Sequence, residues 1–225
     1  MADDEGTRKA ILLKFGLAFP VVLLFFFLPA GTIYYWQAWL YCLALFAPMT
    51  YLLYYFLKHD PAFLVRRMQF KEREKEQKAI VKVMYLVFLV AFLIPGLDRR
   101  FGWSDVPVPI VFAANVVVFL SYLFIFWVFR VNSYASRIIE VVKEQKVISA
   151  GPYALVRHPM YLGMALMLLA TPAALGSYWA YLIFLPMPLF IVPRLLNEEK
   201  VLKRDLPGYK EYCEKTRYRL LPCVW

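Results

Sequence analysis

The chain has 225 residues, 62% of them hydrophobic, and a mean hydropathy of +0.55. A soluble domain is normally nearer half apolar, so the composition points to a membrane protein. The lack of an apolar/polar alternation at period two argues against a β-barrel.

The N-terminus, MADDEGTRKA, is acidic before it is basic and precedes a long apolar run. That order favours a retained signal anchor over a cleaved signal peptide. The apolar runs long enough to consider as spans are Ile11 to Pro29, Gln37 to Leu57, the shorter Val83 to Leu97, and Val106 to Phe129. Tyr34, Tyr35, Trp36 and Trp39 cluster before the second, where an aromatic belt belongs. The connection HDPAFLVRRMQFKEREKEQK opens on Asp60-Pro61, a capping residue followed by proline at the first helical position. Glu74 and Lys78 form an i,i+4 pair there. Phe63, Leu64, Met68 and Phe70 would lie on the membrane surface, or else the segment is a solvated connecting helix. The last run, Pro159 to Pro193, has 35 residues without a charge. One straight helix of that length would measure about 50 Å, against a hydrocarbon core of about 30 Å. Thr171-Pro172 and Gly176-Ser177 are breakers near its middle, so it reads as a hairpin of two helices.

The fold class expected is therefore all-α, a polytopic membrane bundle of about six spans with a C-terminal helical hairpin and a cytoplasmic cofactor-binding cap. With the N-terminus in the cytoplasm, 24 of the 26 Lys and Arg residues fall on the cytoplasmic side, and only Arg99 and Arg100 on the other. This is the asymmetry of the positive-inside rule, and it puts both ends inside. The net charge of +10 then answers to topology and anionic lipid, with no call for nucleic acid. Cys42, Cys213 and Cys223 show no metal spacing and read as reduced thiols, and no metal site is expected. The ending LPCVW places its cysteine one position too late for a prenylation signal. No glycine-rich phosphate loop is present. Residues 1–130 read as a four-span scaffold and residues 131–225 as the functional region, with no obligate protein partner evident.

Two polar segments lie at the two ends of the hairpin, GPYALVRHPMYLG before it and RLLNEE after it. The hairpin returns to the side it left, so it brings them together. His158-Pro159 marks a helix start, with Tyr161 in the first turn. A helix N-terminus attracts carboxylate or phosphate, and Arg157 adds a charge beside it. Arg194 and Glu198 stand one turn apart on one face. Together these groups suit a zwitterion, amine to Glu198 and carboxylate to the helix end. The plainer readings stay open at this point: Arg157 as an anchor at the membrane edge, Arg194–Glu198 as a surface pair, His158 as a cap.

The region from Asn132 to Pro222 resembles the integral-membrane methyltransferases related to isoprenylcysteine carboxyl methyltransferase, whose wider group includes membrane phospholipid N-methyltransferases. The resemblance rests on GPYALVRHPMYLG, RLLNEE and LPGYKEYCEKTRYRLLP in that order. It implies S-adenosylmethionine as cofactor. The contacts it implies are Tyr153, His158, Pro159, Met160 and Tyr161, the stretch Gln145, Lys146, Val147 and Ile148, and the glutamate pair Glu198 and Glu199. It implies that Arg194, joined by Arg157, faces the methyl acceptor in a catalytic role. The acceptor implied is a lipid or a lipidated small molecule or protein, with a carboxylate of the isoprenylcysteine kind first. Phospholipid or amine N-methylation is the alternative, with Glu199 as the nearest base. Sterol reductases related to the lamin B receptor look similar in the same region, so NADPH-dependent reduction is a further alternative, and a non-catalytic scaffold another.

Overall fold

The computed structural model describes residues 5–67, 75–135, 141 and 145–225. The expected Glu74–Lys78 pair, with Met68 and Phe70, lies outside the described residues. The apolar runs become helices because lipid offers a backbone no hydrogen-bond partners, so each segment must satisfy its own. They are α1 (Glu5–Ala30), α2 (Trp36–His59), α4 (Lys75–Phe101), α5 (Val108–Val131) and α6 (Pro159–Ala174), with the short α3 (Pro61–Arg67) between α2 and α4. The return strut of the hairpin is broken: α7 (Tyr181–Phe184), a 3-10 turn (Met187–Phe190) and α8 (Ile191–Asp205), followed by α9 (Tyr209–Lys215). The protein is a polytopic helical bundle. Four described runs are long and apolar enough to cross a membrane, namely Arg8–Ala30, Trp36–His59, Val108–Val131 and Tyr181–Asp205, while α6 is a shorter apolar helix.

The hairpin turns at the second of the two expected breakers, Gly176-Ser177, and not at Thr171-Pro172. Helix α6 runs through Pro172 and ends at Ala174. The chain reverses at Gly176, whose φ of +71° is one that L side chains rarely adopt. Ser177 N–H then donates to Pro172 O at 2.9 Å. At that tip, buried Asp98 of α4 accepts from Ser104 N–H at 2.8 Å, from Ser104 Oγ at 2.7 Å and from Ser177 Oγ. Tyr35 OH adds a bond to Leu175 O at 2.5 Å. One carboxylate thus joins α4, the α4–α5 connection and the hairpin tip.

Two glycines allow close helix contacts. A Cβ on Gly163 of α6 would stand 2.7 Å from Ile125 Cγ1 of α5, and one on Gly96 of α4 would stand 2.8 Å from Phe26 O of α1. The core crosses the midpoint of the chain: Phe26, Tyr41, Val118 and Ala174 belong to one buried cluster. Helix α3 is neither a solvated connector nor a surface helix. Phe63 and Leu64 are buried and pack with Phe56 of α2 and Phe129 of α5.

Candidate functional site

At the open end of the hairpin lies a cleft of about 860 Å³, its open mouth included. Five pieces of chain form it: residues 132–135 after α5, the stretch 145–148, Tyr153 on the 3-10 turn Gly151–Ala154, the start of α6, and the α8–α9 pair. His158 is the N-cap residue of α6, and Pro159 holds the first helical position. On α8, Arg194, Glu198 and Leu202 recur every four residues and so share the face that lines the cleft. Gly208, with φ +84°, turns the chain into α9, whose Tyr209 and Tyr212 close the wall.

The centre is a hydrogen-bonded pair. Tyr161 OH donates to Glu198 Oε2 at 2.7 Å, and the electrostatic reach of Arg194 includes the same phenol. Tyr153 is fixed from two sides: Asn132 Nδ2 donates to its hydroxyl at 2.9 Å, and Tyr212 OH donates to its carbonyl at 2.7 Å. Burial pushes the Tyr153 phenol well above its usual range and the Tyr212 phenol up to about 12. Both therefore stay neutral at physiological pH and keep a proton to donate.

Of the residues expected from the sequence, Gln145, Lys146, Val147, Ile148, Tyr153, Arg157, His158, Met160, Tyr161, Arg194 and Glu198 all line this one cleft. Two do not. Pro159 is buried behind the wall, where it starts α6. Glu199 is 3% exposed and faces away from the cleft. Its Oε1 meets Arg157 Nη1 at 2.8 Å and His158 Nε2 at 3.4 Å, and its Oε2 meets Arg219 Nε at 3.2 Å and Lys203 Nζ at 3.5 Å. With both oxygens occupied on the far side of the wall, Glu199 suits neither a cofactor ligand nor a base.

The same network reassigns Arg157. Its Nη1 is held by Glu199, and its Nη2 donates to Arg217 O at 2.9 Å. It therefore ties the start of α6 to the C-terminal segment. The backbone completes the clamp, since Arg157 N–H donates to Tyr218 O and His158 N–H to Arg219 O, both at 2.9 Å. Sequence reading did not single out Asn132, Leu202, Tyr209, Tyr212 or Arg219. Leu202 was within reach, being one more turn along the Arg194–Glu198 face. The i,i+3 spacing of Tyr209 and Tyr212 was also visible, but not which surface they face.

The family model described as phospholipid methyltransferase matches residues 109–207, from the start of α5 to the turn before α9. Among curated proteins, the Delta(14)-sterol reductase of Mus musculus is 31% identical over 84 residues, 36% of this chain and 20% of that protein. The match thus spans about a fifth of that relative's length. Residues 109–207 hold α5, the hairpin and most of the cleft, and it is through them that the chain is similar to the phospholipid methyltransferase family of membrane enzymes.

Proposed function

We propose that the protein is an integral-membrane, S-adenosylmethionine-dependent methyltransferase that esterifies the carboxylate of a lipidated, isoprenylcysteine-like acceptor. The observation that carries this reading is the charge balance of the cleft. Among the described residues, Lys146 and Arg194 line it against one carboxylate, Glu198, which is bonded to Tyr161, while Arg157 is balanced by Glu199. A carboxylate acceptor is already an anion at neutral pH and needs no base. An amine acceptor must first lose a proton, and the residue expected to take it, Glu199, is turned away and paired with four partners.

The lining fits the methyl donor. Glu198 is placed for an ammonium group, while Val147, Leu202, Tyr209 and Tyr212 supply apolar and aromatic walls for a flat base. When bound, the donor supplies a methyl group on a cationic sulfur. The chain's own task is alignment and dryness. Arg194 holds the acceptor carboxylate through a charge-assisted bond, one turn from Glu198. Alignment of this kind removes most of the entropic barrier to transfer. Exclusion of water strengthens the attraction between acceptor and donor. The distribution of Lys and Arg supports a cleft open to the cytoplasm, with both ends of the chain on that side. Membrane lipids and the lipidated acceptor are the partners, with no nucleic acid.

Phospholipid N-methylation is the second reading, favoured by the description of the matching family. The test uses purified protein with S-adenosylhomocysteine and NADPH in calorimetry. Labelled methyl transfer to N-acetyl-S-farnesylcysteine and to phosphatidylethanolamine vesicles follows. Binding of S-adenosylhomocysteine alone and labelled ester from the farnesylated acid are expected. Binding of NADPH alone would replace the reading by a reductase, binding of neither by a scaffold, and label in the phospholipid alone by an N-methyltransferase.

A further inference from the structure

The first half of the chain brings a cation to the rim of the cleft. Asp60 caps α3, its Oδ1 accepting from Phe63 N–H at 3.0 Å. Phe63 stacks on Phe56 of α2 with ring centroids 4.2 Å apart and leans on Phe129 of α5 at 5.2 Å. This short helix is therefore fixed to two membrane helices, and the place of its last two residues follows from that docking. Arg66 Nη2 donates to Ser133 O at 2.8 Å. Ser133 stands between Asn132 and Tyr134, both of which line the cleft. Arg67 takes the neighbouring direction. Its guanidinium lies over the Phe129 ring, 4.7 Å from the centroid, and its Nη1 is 3.9 Å from Met160 Sδ.

Met160 is part of the cleft wall. It precedes Tyr161, and consecutive residues point about 100° apart around a helix. Arg67 therefore approaches the first turn of α6 from a different side than Glu198 and Arg194, which meet it at Tyr161. Its positive charge is felt at Tyr153 inside the cleft and at Tyr122 on α5. Met160 and Met164, one turn apart, are half-buried and pack together with Tyr122 beside α3 and α5. Methionine is unbranched and flexible, and it yields readily to a ligand of irregular shape. Arg67 thus stands beside Met160, while Arg194 lines the cleft with Glu198.

We propose that Arg67 is a specificity-determining residue for the methyl acceptor: it receives the negative head of a lipid arriving past Met160 and Met164, and so selects anionic heads over neutral ones. This rests on the cleft being a methyl-transfer site. It makes the end of α3, in the half of the chain read as scaffold, an acceptor-selecting element.

The experiment compares wild type, Arg67→Gln and Arg67→Lys in nanodiscs saturated with S-adenosylhomocysteine. The probes are N-acetyl-S-farnesylcysteine and its methyl ester, and the readout is the ratio of their equilibrium affinities. Wild type binds the acid more tightly than the ester. In Arg67→Gln that preference falls roughly tenfold, the effect of one charge-assisted bond, and Arg67→Lys regains part of it. Affinity for S-adenosylhomocysteine, measured separately, stays within about twofold in all three. An unchanged acid-to-ester ratio in Arg67→Gln overturns the proposal. So does a loss of S-adenosylhomocysteine affinity as large as the loss of preference, which would make Arg67 a support of the cleft. A failure of the reaction assignment is seen elsewhere, as a wild type that forms no labelled ester from the acid, and the binding ratio still reports on Arg67 in that case.

Discussion

Adjacent glutamates divide the labour of the site because a helix turns about 100° per residue. Glu198 faces the cleft and accepts from Tyr161, while Glu199 faces the clamp of Arg157, His158, Lys203 and Arg219. Replacing Glu198 by Ala should weaken S-adenosylhomocysteine binding roughly 10- to 100-fold in calorimetry, the loss expected for a bond between charged partners. Arg194→Ala should leave that affinity within a few-fold and lower turnover about 100-fold or more. Equal effects of the two substitutions on binding would remove the division between donor side and acceptor side. The Arg194–Glu198 face was legible in the sequence because it needs only an interval of four. The partners of Glu199 were not, since Arg157 and Arg219 reach it through backbone pairing between residues some sixty positions apart.

The hairpin is the element on which the site depends, and its packing is tight where α6 meets α5. Gly163→Ala would put a methyl 2.7 Å from Ile125 Cγ1, inside any ordinary contact distance. Overpacking of this kind costs about 1–3 kcal/mol, so the thermal midpoint in detergent should fall, and with it the alignment of Tyr161 against Glu198. A variant that melts like wild type would show that α5 yields more easily than its buried neighbours suggest. The existence of the hairpin was legible, because 35 charge-free residues are too many for one crossing. Of the two breakers named for it, Gly176-Ser177 makes the turn and Thr171-Pro172 does not. Proline inside a membrane helix is tolerated, so α6 continues through Pro172 and reverses only where Gly176 allows φ of +71°. The docking of α3 was hidden, since Phe63 becomes buried only once α2 and α5 stand beside it.

Across the whole molecule, polar order is concentrated at the two ends of the bundle. One end holds the cleft, and the other holds Asp98 with Ser104 and Ser177. Asp98→Ala would leave the buried Ser177 hydroxyl and two donors of half-buried Ser104 without this acceptor, with a cost of about 1–3 kcal/mol at Ser177. The expected result is a lower thermal midpoint with nearly unchanged S-adenosylhomocysteine affinity in the folded fraction. A loss of affinity without a loss of stability would mean that the two ends are coupled. The broad architecture was readable because apolar length and charge asymmetry are properties of a linear string, whereas the lock at Asp98 exists only after the helices have assembled. The clamp of Tyr218 and Arg219 on Arg157 and His158 also sets a schedule for biogenesis. The clamp joins residues some sixty positions apart, so it closes only once the last residues of the chain have been made. A chain cut after α8 would keep every membrane helix and lack the wall that Tyr209 and Tyr212 close.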